Sequence, residues 1–101
     1  MTPTRITDPD TADGRIWFSA PTAFEAWSGA RILMEERSIL ELRNRSQFHL
    51  MEGAELELGR RTKIRIDGDS RMVIHKGATI KGNDRAIKKL VRKGRIERRD
   101  Q

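Results

Sequence analysis

The chain contains no cysteine, which excludes a disulfide framework and a thiolate metal site. Aromatic residues are 5% of its 101 residues, and none is interleaved with basic residues as in base-stacking proteins. No stretch has the length and hydrophobicity of a membrane span, and residues 1–13 lack the apolar run of a signal peptide. We therefore expect a protein of the cytoplasm or of a virion. Hydrophobic and charged residues each make up 36% of the chain, which favours a thin core.

What the chain does have is an eight-residue rhythm from Gly14 onward. Nine consecutive octads start with a small residue and carry a large apolar residue at position three, and all but the last are apolar at position five. Such alternation is typical of a strand with one buried face, and positions six to eight have the composition of turns. Each octad is therefore predicted to be one strand and one turn. Positions three and five should be buried, and positions two and four exposed.

Charge pairs predict how the octads stack, because neighbouring strands avoid like charges opposite each other. Within residues 14–85, a spacing of two octads gives two opposite pairs against seven like pairs, whereas three octads give eight opposite pairs against two like pairs. Gly29, Gly53 and Gly77 also recur at the three-octad spacing. Three octads per turn predict an all-β fold, a three-sided parallel β-helix (solenoid) of about three coils over residues 14–85.

A second packing remains open. Three intertwined chains would stack octads one period apart, and at that spacing residues 14–85 have six opposite pairs against two like pairs. This arrangement resembles the octapeptide-repeat spikes of contractile phage tails, whose valine–any–glycine pattern the chain lacks. An intertwined trimer gives no reason for identities to recur every third octad, so the single-chain coil is favoured.

The two ends differ from the octads. Residues 1–13 are polar, with prolines at positions 3 and 9, and predict a flexible arm. Residues 86–101 form a basic tail with seven lysines and arginines against two acidic residues. Basic side chains expected to face solvent, and open to contact with nucleic acid or an acidic partner, are Lys88, Lys89, Arg92 and Lys93.

A short helix is predicted at the start of this tail. Asn83 or Asp84 suits its N-cap, and Gly94 suits its end. A solenoid needs a cover for the open end of its core, and an apolar stripe at helical spacing can provide it. The residues expected to form this cap are Ile87, Leu90 and Val91.

One side of the predicted coil carries apolar residues at outward positions. On it, Trp27, Met51 and His75 are expected to lie one above another. Such a stripe on a charged surface predicts an oligomer interface, with scattered exposed apolar residues as the alternative. The expected interface residues are Ala23, Trp27, His49, Met51, Val73 and His75. No carboxylate or thiolate is expected to accompany the two histidines as a neighbouring group, so no metal or catalytic role is predicted for them.

Enzyme chemistry is not expected. The segment HKGATIKGN, residues 75–83, resembles the hexapeptide repeats of left-handed β-helix acyltransferases. The octad period departs from that family's six-residue period, and its extended loop and catalytic histidine have no match here. We therefore expect no catalytic residues, no metal and no cofactor.

Two functional classes remain. The first is a structural, self-associating protein, such as a capsid cement or spike-like virion component, with a homotrimer expected. A repeat core between polar tails also resembles the bactofilins, which are small parallel β-helices that polymerise end to end. The second class is a nucleic-acid-associated adaptor that acts through the basic tail. The sequence favours the first class.

Overall fold

The computed structural model describes residues 4–6, 10–12, 15–18 and 23–99, with side chains described from residue 23 onward. This part of the chain is mostly strands in parallel sheets with one short helix, so the predicted all-β character and C-terminal helix are confirmed. Predictions for residues 1–3, 7–9, 13–14, 19–22 and 100–101 lie outside the described residues. The elements are β1 Thr4–Ile6, β2 Asp10–Ala12, β3 Arg15–Phe18, β4 Ala23–Ala26, β5 Arg31–Met34, β6 Ile39–Leu42, β7 Gln47–Leu50, β8 Glu55–Leu58, β9 Lys63–Ile66, β10 Arg71–Ile74, β11 Thr79–Lys81, α1 Asp84–Arg92 and β12 Ile96–Arg98.

The strands fall into three parallel sheets. Sheet A has the order β1-β4-β7-β10-β12, sheet B the order β11-β8-β5-β2, and sheet C the order β3-β6-β9. From β1 to β11, consecutive strands therefore belong to sheets A, B and C in rotation. From β3 onward, paired residues are three octads apart, as Arg15 is from Ile39 and Arg31 from Glu55. This is the spacing that the charge pairs predicted, and Arg31 Nε lies 3.0 Å from Glu55 Oε2.

Two strands lie in the segment for which the sequence predicted a flexible arm. β1 pairs with β4, Thr4 opposite Phe24, and β2 pairs with β5, Asp10 opposite Ile32. Both offsets are shorter than three octads, so the octad pattern carries no sign of the two strands. Their pairing satisfies backbone groups at the edges of β4 and β5 that would otherwise face solvent.

The core follows the octad positions. Within the described part of the chain, apolar side chains at positions three and five are buried or packed against the core, as predicted. The buried ones are Ala26, Ile32, Met34, Leu40, Leu42, Phe48, Leu50, Leu56, Leu58, Ile66, Met72 and Ile74, and the partly buried ones are Phe24, Ile64 and Ile80. Enclosed residues at position one are Ala30, Ser38, Ser46, Ala54, Thr62 and Ser70. Position one is small because a larger side chain there would collide with a core that is already close-packed.

Two residues contradict the prediction that positions two and four are exposed. Glu41 is 5% exposed, and its Oε2 accepts hydrogen bonds from Nε and Nη2 of Arg43, at 2.9 and 2.6 Å. Those charge-assisted bonds offset the cost of burying a carboxylate. Val73 is 3% exposed and lies between His49 of β7 and Glu97 of β12. A strand that the sequence did not predict therefore flanks Val73.

The turns between sheets A and B explain why glycine recurs in every third octad. Gly29, Gly53 and Gly77 have φ values of 91°, 83° and 87°. The turns stack closely, since the N–H of Gly53 donates to the carbonyl of Gly77 at 3.0 Å. A Cβ on Gly53 would lie 2.7 Å from Oγ of Ser28, and one on Gly77 would lie 2.6 Å from Cγ of Glu52. Both the left-handed backbone and the close neighbour therefore require glycine.

Helix α1 stands where the next strand of sheet C would fall, because residues 87–90 come three octads after β9. Asn83 occupies the N-cap position with φ 47°, but its side chain does not cap the helix. Its Nδ2 donates instead to the carbonyl of Thr62, just before β9, at 2.6 Å. Beyond the helix, Nη1 of Arg95 donates to the carbonyl of Gly68, just after β9, at 3.3 Å. These two attachments place α1 alongside β9.

The chain returns to sheet A directly after the helix. Gly94, with φ 79°, ends the helix as predicted, and the N–H of Arg95 donates to the carbonyl of Leu90 at 2.9 Å. β12 then pairs with β10 at the same three-octad offset, with Ile96 opposite Met72. The sequence predicted no strand at this point. The last strand of sheet A therefore comes from the tail.

Candidate functional site

The outer face of sheet A gathers the residues predicted to form an interface. Trp27, Met51 and His75 directly follow β4, β7 and β10, which are neighbours in the sheet. The strand ladder continues through them, since Met51 N–H donates to Ala26 O at 2.8 Å and His75 N–H donates to Leu50 O at 2.9 Å. The three residues therefore lie one above another, as predicted. We call Ala23, Trp27, His49, Met51 and His75 the sheet A face; all five are half-buried.

Val73 does not belong to the accessible part of this face. The sequence placed it among the interface residues because its octad position is outward. With 3% of its surface exposed, it is already buried within one chain and offers no area to a partner. The predicted interface is therefore smaller by one apolar side chain.

Trp27 is fixed by a neighbouring carboxylate. Its Nε1 donates to Oε1 of Glu25 at 2.7 Å. A half-buried tryptophan with its only polar atom bonded presents an apolar ring to whatever lies against it. Glu25 also pairs in register with His49, so one carboxylate lies beside both the tryptophan and the histidine.

His49 and His75 form a pair that sequence reasoning missed. His49 Nδ1 lies 2.9 Å from His75 Nε2, and the ring centroids are 5.1 Å apart with planes tilted by 31°. His49 Nε2 lies 3.1 Å from Oε1 of Gln47. That amide oxygen accepts, so neutral His49 carries its hydrogen on Nε2 and accepts at Nδ1 from His75 Nε2–H.

The register of sheet A contains the signal that could have revealed this pair. The partner of His49 across the sheet is Val73, and His75 comes two positions later on the same side of the chain. The two histidines are therefore diagonal neighbours on one face, within reach of long or ring-shaped side chains.

The surroundings of His49 favour its neutral form. Burial lowers the pKa of His49 below 6.5, and the charge that His75 carries when protonated lowers it further. Glu25 and Glu97 raise the pKa, while Arg99 lowers it. Burial and His75 are the two largest influences, so the net shift is downward. A neutral ring is the form that the hydrogen bond from His75 requires.

The predicted cap residues divide. Ile87 is 3% exposed and belongs to the core, and Leu90 packs against it. Val91 is 36% exposed, so its predicted role in the cap is wrong. The core at this end is completed instead by Ile96 of β12, which is 2% exposed.

The basic residues of the tail lie at the surface. Lys88, Lys89, Arg92 and Lys93 are all exposed, as expected. The sequence did not predict that β9 lies beside these residues. The outward Lys63 and Arg65 of β9 are also exposed. The three-octad spacing from β9 to α1 could have predicted that neighbourhood.

Comparison with known proteins assigns no function, so the function must be inferred from the geometry described above. No family model, no curated protein and no solved structure matches the chain. Among the described residues, no three His, Asp or Glu side chains are grouped so that they could hold a metal ion. A search of the same residues finds no helix that is long and apolar enough to cross a membrane.

Proposed function

We propose that the chain is a single-chain, three-sided parallel β-helix with a non-enzymatic, structural role. The rotation of strands through sheets A, B and C supports one turn of the coil per three strands. The constant three-octad offset from β3 onward supports the single-chain coil over three intertwined chains, which would pair residues one octad apart. Small residues enclosed at position one suit the inward bends of such a coil.

The structural role is self-association through the sheet A face. The observation that carries it is the column of Trp27, Met51 and His75 on the outside of a sheet. Tryptophan and methionine are enriched at protein interfaces, and tryptophan often contributes most of the binding energy. These side chains remain half-exposed after the chain has folded, so they are available to a second copy. A homotrimer is the stoichiometry we expect.

A virion component, such as a capsid cement or spike-like protein, is the concrete form of this proposal. Its support is the eight-residue period, which the chain shares with contractile-tail spikes although it lacks their valine–any–glycine pattern. A bactofilin-like filament is the weaker candidate, because helix α1 occupies the next strand position of sheet C. A strand from another copy cannot extend that sheet where a helix already lies.

The oligomeric state tests self-association. Wild-type protein should sediment as a closed oligomer in analytical ultracentrifugation. Trp27→Glu combined with Met51→Glu should give monomers with an unchanged circular dichroism spectrum. Leu33→Glu is the matched control, because Leu33 is an apolar residue 37% exposed on sheet B, away from the proposed interface. A wild type that is monomeric at high concentration, or a control that dissociates equally, contradicts the proposal.

A further inference from the structure

Helix α1 and strand β9 bring together basic residues from two distant parts of the sequence. The bonds from Asn83 to Thr62 and from Arg95 to Gly68 hold the helix along the strand. β9 is the last strand of sheet C, so α1 continues that side of the molecule. Side chains that point away from the core on both elements therefore share one surface.

The outward side of α1 is defined by its buried residue. Ile87 packs into the core. At 3.6 residues per turn, Arg85, Lys89 and Arg92 each lie about 140–160° around the helix axis from Ile87. All three are exposed. They therefore form one stripe on the face of the helix that is turned away from the core.

Strand β9 adds two more cations with the same orientation. Its inward residues are Ile64 and Ile66, which pack in or against the core. Side chains alternate along a strand, so Lys63 and Arg65 point away from the core, and both are exposed. We name Lys63, Arg65, Arg85, Lys89 and Arg92 the basic ridge.

Few acidic groups offset this charge. β9 contains no acidic residue, and α1 contains one, Asp84, in its first turn. Asp67 directly follows β9 and is exposed, with its carboxylate accepting hydrogen bonds from the backbone N–H groups of Asn44 and Asp69. Within sheet C, Glu41 is the register partner of Arg65. It is 5% exposed and accepts two hydrogen bonds from Arg43. The five cations of the ridge therefore outnumber the two exposed carboxylates beside them, Asp67 and Asp84.

We propose that the basic ridge binds the phosphate backbone of nucleic acid without reading base sequence. The three helix residues span about 10 Å at 1.5 Å per residue, which covers the axial rise of about three phosphates of one duplex strand at 3.4 Å per phosphate. The ridge contains no aromatic side chain that could stack on bases. Lysine and arginine alone give affinity that depends on salt and not on sequence.

The same observations disfavour two other polyanions. A protein partner would need an apolar centre in its interface, and the ridge has none. An anionic membrane would need the apolar face of a basic helix to insert, but Ile87 and Leu90 of α1 are engaged with the core. Duplex nucleic acid requires only the exposed charge that the ridge offers.

Fluorescence anisotropy of a labelled DNA duplex of arbitrary sequence, measured over a salt series, tests the proposal. Wild-type protein should bind, with an observed affinity that falls linearly with salt on a log–log plot. Lys63→Gln with Arg65→Gln should lower the slope of that plot by about 2, and the helix triple variant to Gln by about 3. The control, Arg71→Gln with Lys76→Gln, removes two exposed charges elsewhere and should leave the slope unchanged.

Three outcomes overturn the proposal. They are no binding by the wild type at low salt, an equal loss in the control and the β9 double variant, and displacement of the duplex by poly-glutamate of equal charge. The last would assign the ridge to an acidic protein. The Trp27→Glu, Met51→Glu variant should bind the duplex with the same contribution of the ridge to the salt slope, counted per chain, as the wild type. Failure of the ridge and failure of self-association are therefore separate results.

Discussion

Ala54 offers the sharpest test of how the sheets pack. It is fully buried at the first position of its octad, between Ala30 and Ala78. Backbone hydrogen bonds stack the chain closely at these positions. Glu55 N–H, next to Ala54, donates to Ala30 O at 3.0 Å, and Thr79 N–H, next to Ala78, donates to Ala54 O at 2.9 Å. Paired strands lie about 4.8 Å apart, so a longer side chain has no room along this column. Ala54→Leu should therefore overpack the core.

The expected cost of Ala54→Leu is about 1–3 kcal/mol. For a domain of this size, each kcal/mol lowers Tm by about 4–8 °C, which circular dichroism measures readily. Urea unfolding should show a lower midpoint with an unchanged m-value. Glu57→Leu is the matched control, because Glu57 is in the same octad, on β8, but exposed, and its effect should stay within about 0.5 kcal/mol. If Ala54→Leu and the control variant have the same Tm, the column of Ala30, Ala54 and Ala78 is not tightly packed.

Three further predictions concern the cap, a turn and the histidine pair. In urea unfolding, Ile87→Ala should lower the free energy of unfolding by about 2–5 kcal/mol, whereas Val91→Ala at the surface should lower it by under about 0.5 kcal/mol. Similar values for the two variants would contradict the packing of α1 against the core. Gly53→Ala should destabilise more than Gly94→Ala, because both have φ near 80° but only Gly53 has a close neighbour; equal melting temperatures would show that crowding is absent. The lowered pKa of His49 means that its neutral form stabilises the fold above pH 6.5 and that this contribution is lost as the pH falls below 6.5. His49→Gln should reduce the fall in Tm between pH 7 and pH 5. An unchanged fall would show that the His49–His75 pair does not cause it.

The octad pattern was sufficient to predict strands β3 to β11 and which of their side chains face inward. Alternation placed Leu56 and Leu58 in the core, and the structure has both buried. Charge pairing predicted that stacked strands are three octads apart, which the register of β5 with β8 confirms. These features are predictable because each is a local or periodic property of side-chain size and charge.

The last strand shows where that reasoning stopped short. Gly94-Arg95-Ile96 repeats Gly14-Arg15-Ile16 ten octads later, so the sequence did contain a sign of β12. The sign was missed because α1 occupies the intervening octad and breaks the alternation. The burial of Val73 was missed for the same reason, since β12 flanks it.

By itself, the sequence determined the repeating strand, its inward face and the spacing between stacked strands. These follow from a period that every octad repeats. Only the tertiary structure decided the contacts that do not follow from the register of the stacked strands. The hydrogen bond between His49 and His75, and the neighbourhood of α1 and β9, depend on side-chain conformation and on how a helix packs beside a sheet. The period brings these elements near one another but does not encode the contacts themselves, because each contact occurs once and is set by packing against neighbours that are distant in the sequence.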